Sequence, residues 1–261
     1  MWIAITREVS PAMARCELSF VAREPIDIAR AADQHRDYMH ALETLGCRVV
    51  TLSVQRDLPD SVFVEDVAIV IDELAVMTRP GAESRRPEVA SVAAALKKFR
   101  PLATIEAPGT IDGGDVMRMG RAFYVGESAR SNASGIAQLR ALVAPHGYTV
   151  QGVPTRGCLH LKSAVTQLSD DTVLLQPDWV DREPFADYRI IDIDPAEPHA
   201  ANVVRVDDGL LMPASFPRTR ERLLGAGFKV ISVDVSELQK AEGAVTCCSL
   251  LLREGKDHNA G

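Results

Sequence analysis

The sequence predicts an α/β protein built from about five copies of one unit, strand, strand, helix, strand, packed around a common centre. Three observations predict it. An amphipathic helix, a glycine or proline stop and a short β-branched strand recur in that order along the chain. The strand midpoints expected at Val50, Ile105, Val150, Ile191 and Val230 lie 39 to 55 residues apart, a spacing found in repeat architectures. Between these helix and strand pairs lie apolar runs broken by turn residues, which is the pattern of a β-hairpin. One such unit cannot bury both of its faces alone, so neighbouring units must cover one another. A single mixed sheet with helices on its faces is the other architecture compatible with the same periodicities.

Each element follows from its residues. The N-terminal MWIAITREV reads as a strand and lacks the charged start, apolar run and cleavage site of a leader. Tyr38, Met39, Leu42 and Leu45 fall at helical spacing, Gly46 stands where a C-terminal cap belongs, and CRVVTLSV follows as a strand. VAIVIDELAVMT forms a hairpin turning near Glu73, and EVASVAAALKKF begins a helix just after Pro87 that leads into LATIEA. VMRMGRAFYV turns near Gly120, and GIAQLRALVAPHG leads into YTVQGV. AVTQLSDDTVLLQ turns near Asp170, followed by a shorter helix and strand in REPFADYRIIDID. VVRVDDGLLMP turns near Asp208, and RTRERLLGAG leads into FKVISVDV. One domain is expected over residues 1–253, with a polar tail at 254–261.

Composition narrows the function. With 261 residues and 46% hydrophobic side chains the chain can bury a sizeable core. A net charge of −7 disfavours nucleic acid and anionic membranes as partners. No run approaches 18 apolar residues, so no membrane span is expected. The five cysteines are an odd set without a CxxC pair, which suits a reducing, cytoplasmic compartment.

The chemistry-bearing residues fall in the loop just before each hairpin. FVEDV carries Glu65 and Asp66, TIDGGDV carries Asp112 and Asp115, CLHLKS carries His160, HAANVV carries Asn202, and AVTCCS carries Cys247 and Cys248. Equivalent loops in a ring of repeats meet at one end of its axis, where carboxylates, a histidine and a cysteine would form a Cys/His nucleophilic site. Each residue alone has an ordinary explanation. His160 between Leu159 and Leu161 suits a core histidine, Arg85 and Arg130 suit solvated surface charges, and Cys16, Cys47 and Cys158 suit small buried hydrophobes. Only the joint pattern is specific. Cys248 faces away from Cys247 if the segment is already a strand.

FVED at 63–66, DGGD at 112–115, RSN at 130–132, HLKS at 160–163, AAN at 200–202, FPRT at 216–219 and TCCS at 246–249 together resemble the dimethylarginine dimethylaminohydrolases of the guanidine-modifying, or pentein, superfamily. The resemblance spans Met1 to about Arg253. It implies a five-bladed, pseudo-symmetric α/β propeller of ββαβ repeats. It also implies hydrolysis of Nω-methylated arginine to citrulline and a methylamine, with no cofactor and no metal. The small-molecule partner would be the methylated arginine, and the resemblance admits a homodimer. By the same resemblance Cys247 is the nucleophile, His160 the general acid and base, and Asp112 its orienting carboxylate. Asp66, with Glu65 beside it, would hold the guanidinium nitrogens. Arg85 and Arg130 would clamp the α-carboxylate, and Asp60 with the loop around Leu18 would meet the α-amino group. Ser163 and Ala244 would complete the substrate-facing surface.

The chemistry suits these residue types independently. A guanidinium carbon is a poor electrophile, so a thiolate is the appropriate nucleophile, and one histidine can serve as acid and then base. Arginine and agmatine deiminases are the nearest rivals. Those relatives carry an aspartate two residues after the histidine, where this chain has Lys162. Two candidate carboxylate-binding arginines argue against agmatine, which has no carboxylate. A non-catalytic, ribosome-binding pentein would have no need of the Cys, His and Asp set.

Overall fold

Residues 1–254 are described by a computed structural model of the chain. Five three-stranded sheets stand around one axis. The first holds β1 (Trp2–Arg7) and β2 (Cys47–Leu52), joined through α1 (Ile28–Thr44). The second holds β3 (Ala68–Val70), β4 (Ala75–Met77), α2 (Val89–Leu96) and β5 (Leu102–Thr104). The third holds β6 (Val116–Met119), β7 (Ala122–Glu127), α3 (Ala133–Val143) and β8 (Thr149–Pro154). The short α4 (Leu161–Ala164) leads into the fourth, made of β9 (Val165–Gln167), β10 (Thr172–Leu175) and β11 (Arg189–Asp192). The fifth holds β12 (Val204–Val206), β13 (Gly209–Pro213), α5 (Pro217–Gly225) and β14 (Lys229–Val233). After α6 (Ser236–Gln239), β15 (Leu250–Arg253) pairs antiparallel with β1 and completes the first sheet. In every sheet the central strand pairs antiparallel with one neighbour and parallel with the other.

This is the expected five-bladed propeller, and side-chain alternation explains its closure. Successive residues of a strand point to opposite faces, so each central strand feeds two cores. Ile3 and Ile5 of β1 join one cluster with Val92 and Leu96, while Ala4 joins another with Tyr38 and Leu211. Phe123 and Val125 of β7 pack with Ile136 and Leu139, while Tyr124 packs with Val173 and Phe185. Leu210 and Met212 of β13 face Leu174, while Leu211 faces the first blade. Five cores therefore lie between five blades, and none lies inside a blade.

The expected caps are present. Gly46 sits at φ +90 after α1, and the Asp27 side chain accepts from the Arg30 N–H at its start. The hairpin turns fall where the sequence placed them, with Gly120 at φ +58 and Asp207 at φ +49. Two details differ. Ile105 lies just beyond β5 rather than at its centre, and the fourth blade replaces its helix with a 3₁₀ turn, Glu183–Phe185, in which Pro184 limits backbone hydrogen bonding. Of the polar tail expected at 254–261, only Glu254 is among the described residues, and its N–H donates to the Met1 carbonyl at 2.9 Å. Among the described residues no helix is long and apolar enough to cross a membrane.

The five loops preceding the first strand of each blade converge at one end of the axis. Their approach requires glycine at 113: a Cβ there would lie 1.9 Å from the Glu65 carbonyl oxygen, a backbone atom with little room to yield. Gly113→Ala should therefore destabilise the protein by about 2 kcal/mol or more, read from the urea midpoint; an unchanged midpoint would contradict this close approach.

Candidate active site

Each converging loop delivers its residues by a specific local device. Glu65 and Asp66 lie on a 3₁₀ turn, Val64–Val67, and a second such turn, Gly113–Asp115, follows Asp112. His160 is the extended residue that precedes α4. Asp115 anchors that segment: its Oδ1 accepts the Leu161 N–H at 2.9 Å, while its Oδ2 accepts the Ser128 and Ser131 hydroxyls, both at 2.6 Å. Asn202 ties the fifth blade's loop to the turn that carries Cys247. Its Oδ1 accepts the Thr246 N–H at 3.0 Å, and its Nδ2 donates to Thr246 Oγ1 at 2.9 Å and to the Lys162 carbonyl at 3.0 Å. The Glu65 N–H donates to the Cys247 carbonyl at 3.2 Å. Residues 245–248 form a turn and not a strand. Strand alternation therefore does not separate the two cysteines: Cys247 lines the pocket, whereas the Cys248 thiol donates to the Ala244 carbonyl at 3.4 Å.

Asp60, Asp66, Arg85, Arg130, His160 and Cys247 are on the wall of one narrow pocket. Behind His160, Nε2 donates to Asp112 Oδ2 at 3.1 Å, and Nδ1 lies 3.8 Å from Asp66 Oδ1. Asp66 Oδ1 also accepts the Gly114 N–H at 2.9 Å, and its Oδ2 is paired with Arg85. Arg85 in turn grips Glu88 through Nε and Nη2, at 3.2 and 2.8 Å. On the other side, Arg130 Nη1 lies 3.8 Å from Asp112. Arg130, Asp112, His160, Asp66, Arg85 and Glu88 thus form a buried row of alternating charge.

The other expected site residues lie around this pocket. Glu65 faces the axial channel and is paired with Lys162 through Oε1, leaving its buried Oε2 without a partner. Ser163 and Ala244 line a neighbouring cavity of about 290 Å³. The half-buried Leu18 side chain packs onto the core between the fifth and first blades. Glu88 was not singled out from the sequence, although its i,i+3 spacing from Arg85 on one turn is a readable signal.

Protonation follows from this surrounding. Burial opposes charge on His160, but Asp66, the hydrogen bond to Asp112, and Asp115 outweigh it and lift the pKa to about 9. Burial would raise the Asp66 pKa, yet His160 and Arg85 hold it at about 2. Burial, with Asp66 and Glu65 nearby, pushes the Cys247 thiol up to about 12. The free protein near neutrality therefore holds an imidazolium beside a neutral thiol. Asp66, Asp112 and His160 present ligand atoms within 4.8 Å of one another, a spacing a metal ion could use. Arg85 on Asp66 and Arg130 beside Asp112 already supply positive charge there, so an incoming cation would meet two guanidinium groups.

A family profile described as N,N dimethylarginine dimethylhydrolase, eukaryotic, matches residues 16–253. The N(G),N(G)-dimethylarginine dimethylaminohydrolase of Streptomyces coelicolor is 42% identical over 252 residues, covering 96% of this chain and 97% of that protein. The chain belongs to the dimethylarginine dimethylaminohydrolase family. Two dimethylarginine dimethylaminohydrolase structures superpose with a TM-score of 0.93 at 38% identity, each covering 97% of this chain and 100% of the other. One, from Pseudomonas aeruginosa, is a cysteine-to-serine variant complexed with citrulline; the other is an adduct with S-methyl-L-thiocitrulline.

The charge row makes a measurable statement about this dimethylarginine dimethylaminohydrolase relative. His160 should titrate near pH 9 by NMR, and Asp112→Asn should lower that midpoint by about one unit or more. Because the folded pKa lies above the ordinary 6.5, the stability His160 contributes is full below about pH 6.5 and is lost as pH rises through about 9. A midpoint near 6.5 in both proteins would contradict the assigned contacts.

Proposed function

We propose that the chain hydrolyses Nω-methylated arginine, asymmetric dimethylarginine or monomethylarginine, to citrulline and a methylamine. The observation that supports this best is a buried histidine ring set between two carboxylates, 3.1 Å from Asp112 and 3.8 Å from Asp66, on the wall of the pocket that also presents the Cys247 thiol. Cys247 serves as nucleophile, His160 as acid and base, and Asp112 as the carboxylate that fixes the ring. The buried Glu65 carboxylate, of which Lys162 takes one oxygen, would be an acceptor for a guanidinium N–H, and Asp66 on the pocket wall a second.

Substrate charge activates the nucleophile. The two carboxylates that raise the Cys247 pKa are those a guanidinium would neutralise, so substrate binding itself favours the thiolate, the thiol proton passing to solvent because His160 already carries its own. Sγ attacks the guanidinium carbon, and His160 donates its proton to the methylated nitrogen as the C–N bond breaks. This leaves a covalent thiouronium and a neutral amine. The now neutral His160 takes a proton from water as its oxygen attacks the same carbon. The C–S bond then breaks, returning the thiolate, and the second water proton leaves with the amine as methylammonium.

Incubating the purified protein separately with asymmetric dimethylarginine, arginine and agmatine, and assaying ureido product, tests the reading. The methylated substrate should exceed arginine in kcat/KM by about tenfold or more, since Lys162 occupies one Glu65 oxygen and leaves extra N–H donors of arginine poorly satisfied. Cys247→Ser should abolish turnover while Cys248→Ser retains a substantial fraction; equal loss in two folded variants would exclude Cys247 as the sole nucleophile.

The two arginines should separate. Arg130 has N–H groups free to meet a substrate carboxylate, so Arg130→Ala should mainly raise KM for substrates that carry one. Arg85 is committed to Asp66, Glu88 and the Phe63 carbonyl, and removing it strands two buried carboxylates. Arg85→Ala should therefore cost about 3–5 kcal/mol of stability. A stable Arg85→Ala protein with only a KM defect would reassign it to the carboxylate clamp.

A further inference from the structure

Glu242 occupies a backbone position that ordinarily belongs to glycine. It follows α6 with φ +56, its N–H donates to the Gln239 carbonyl at 3.0 Å, and the Gly243 N–H donates to the Leu238 carbonyl at 3.1 Å. This pair of bonds is the Schellman closure of a helix, in which glycine is usual at the left-handed residue because a Cβ is strained there. The side chain must supply what the backbone position costs. Its carboxylate is encircled by three consecutive backbone N–H groups of the loop that covers the pocket: Ser19 at 2.9 and 3.0 Å, Phe20, and Val21 at 2.8 Å.

That loop is tied to the pocket at its other points. The Glu17 N–H donates to Asp60 Oδ2 at 3.2 Å, Ser84 donates to the Glu17 carboxylate, and Arg130 Nη2 donates to Ser19 Oγ at 3.3 Å. Arg23 gathers its two ends by donating to the Ala14 and Cys16 carbonyls, both at 2.6 Å. No apolar anchor does the same for the tip, since Phe20 and Val21 are 53% and 37% exposed. Beside the Arg130 bond to Ser19 Oγ, the charge-assisted bonds to Glu242 are what hold the backbone of residues 19–21 down. Glu242 also adjoins Gly243 and Ala244, the approach to the Cys247 turn, so the same short segment carries both the latch and the nucleophile.

We propose that Glu242 is a positioning residue for substrate, an anionic latch whose carboxylate seats the 17–21 loop over the site and so holds Ser19 against Arg130 and the Glu17 N–H against Asp60. It rests on the reading above that Arg130 and Asp60 receive the amino-acid end of the substrate. With the latch made, the cover closes on a substrate already clamped there; without it, binding weakens while the bond-breaking groups stay in place.

Glu242→Gly separates this role from a merely structural one, because it relieves the left-handed strain while removing the carboxylate. The variant should melt at or above the wild-type temperature, yet its Ser19, Phe20 and Val21 amides should exchange with solvent about tenfold faster or more. KM for asymmetric dimethylarginine should rise about tenfold, with kcat within about threefold. Added propionate, which replaces the lost side-chain atoms, should slow exchange at those amides in the variant and not in wild type. Unchanged exchange at the three amides, or an unchanged KM in an active protein, would overturn the latch. Absence of turnover by the wild type would instead sink the substrate assignment, and the exchange measurement would still decide the latch.

Discussion

Everything at the site depends on one buried row of alternating charge, Arg130, Asp112, His160, Asp66, Arg85 and Glu88. A lone ion in such surroundings would neutralise itself by changing its protonation state, but each member here has an opposite charge on at least one side. The row is balanced as a whole, and it lets an imidazolium persist where burial alone would discharge it. Burial, with Asp66 and Glu65 nearby, also keeps Cys247 a thiol. Negative potential from Asp66 and Glu65 faces the sulfur until a positively charged ligand cancels it.

Such a row cannot be assembled by one local segment, because its members come from the second and third blades and from the loop entering the fourth. The propeller solves this by leaving no blade with a core of its own. Every central strand contributes to two interblade clusters, so the loops at the axial end are held in place from both sides. Rigidity of the ring is what allows groups from distant parts of the sequence to meet at 3.1 to 3.8 Å. The covering loop is built on the opposite logic, with polar ties and little apolar anchoring at its tip.

Much of this was legible in the residues. Hairpin turns at Gly120 and Asp208, the cap at Gly46, and the placing of Asp112, His160 and Cys247 in equivalent loops all follow from periodicity and turn chemistry, and the family resemblance rested on motifs in the same loops. What escaped were partnerships. Arg85 reads as a substrate ligand until Glu88 and Asp66 are seen to occupy it, and Lys162 reads as a missing carboxylate until its pairing with Glu65 is seen. The helix expected in the fourth blade shrinks to a turn around Pro184, and Glu242 carries no sequence signal because its importance comes from a backbone angle and from N–H groups 221 to 223 residues away. Pair identities arise from three-dimensional closure, which a one-dimensional pattern does not encode.

The first blade carries a consequence of a different kind. Its sheet is stitched from the two extremities of the chain, β1 and β15, and the Glu254 N–H reaches the Met1 carbonyl. The blades touch in chain order and the fifth meets the first, so the succession of contacts closes on itself. A gene rewired to join these extremities and to open at an exposed hairpin such as Gly120 would specify the same circle of contacts, a circular permutant in which the place where synthesis starts carries no structural information.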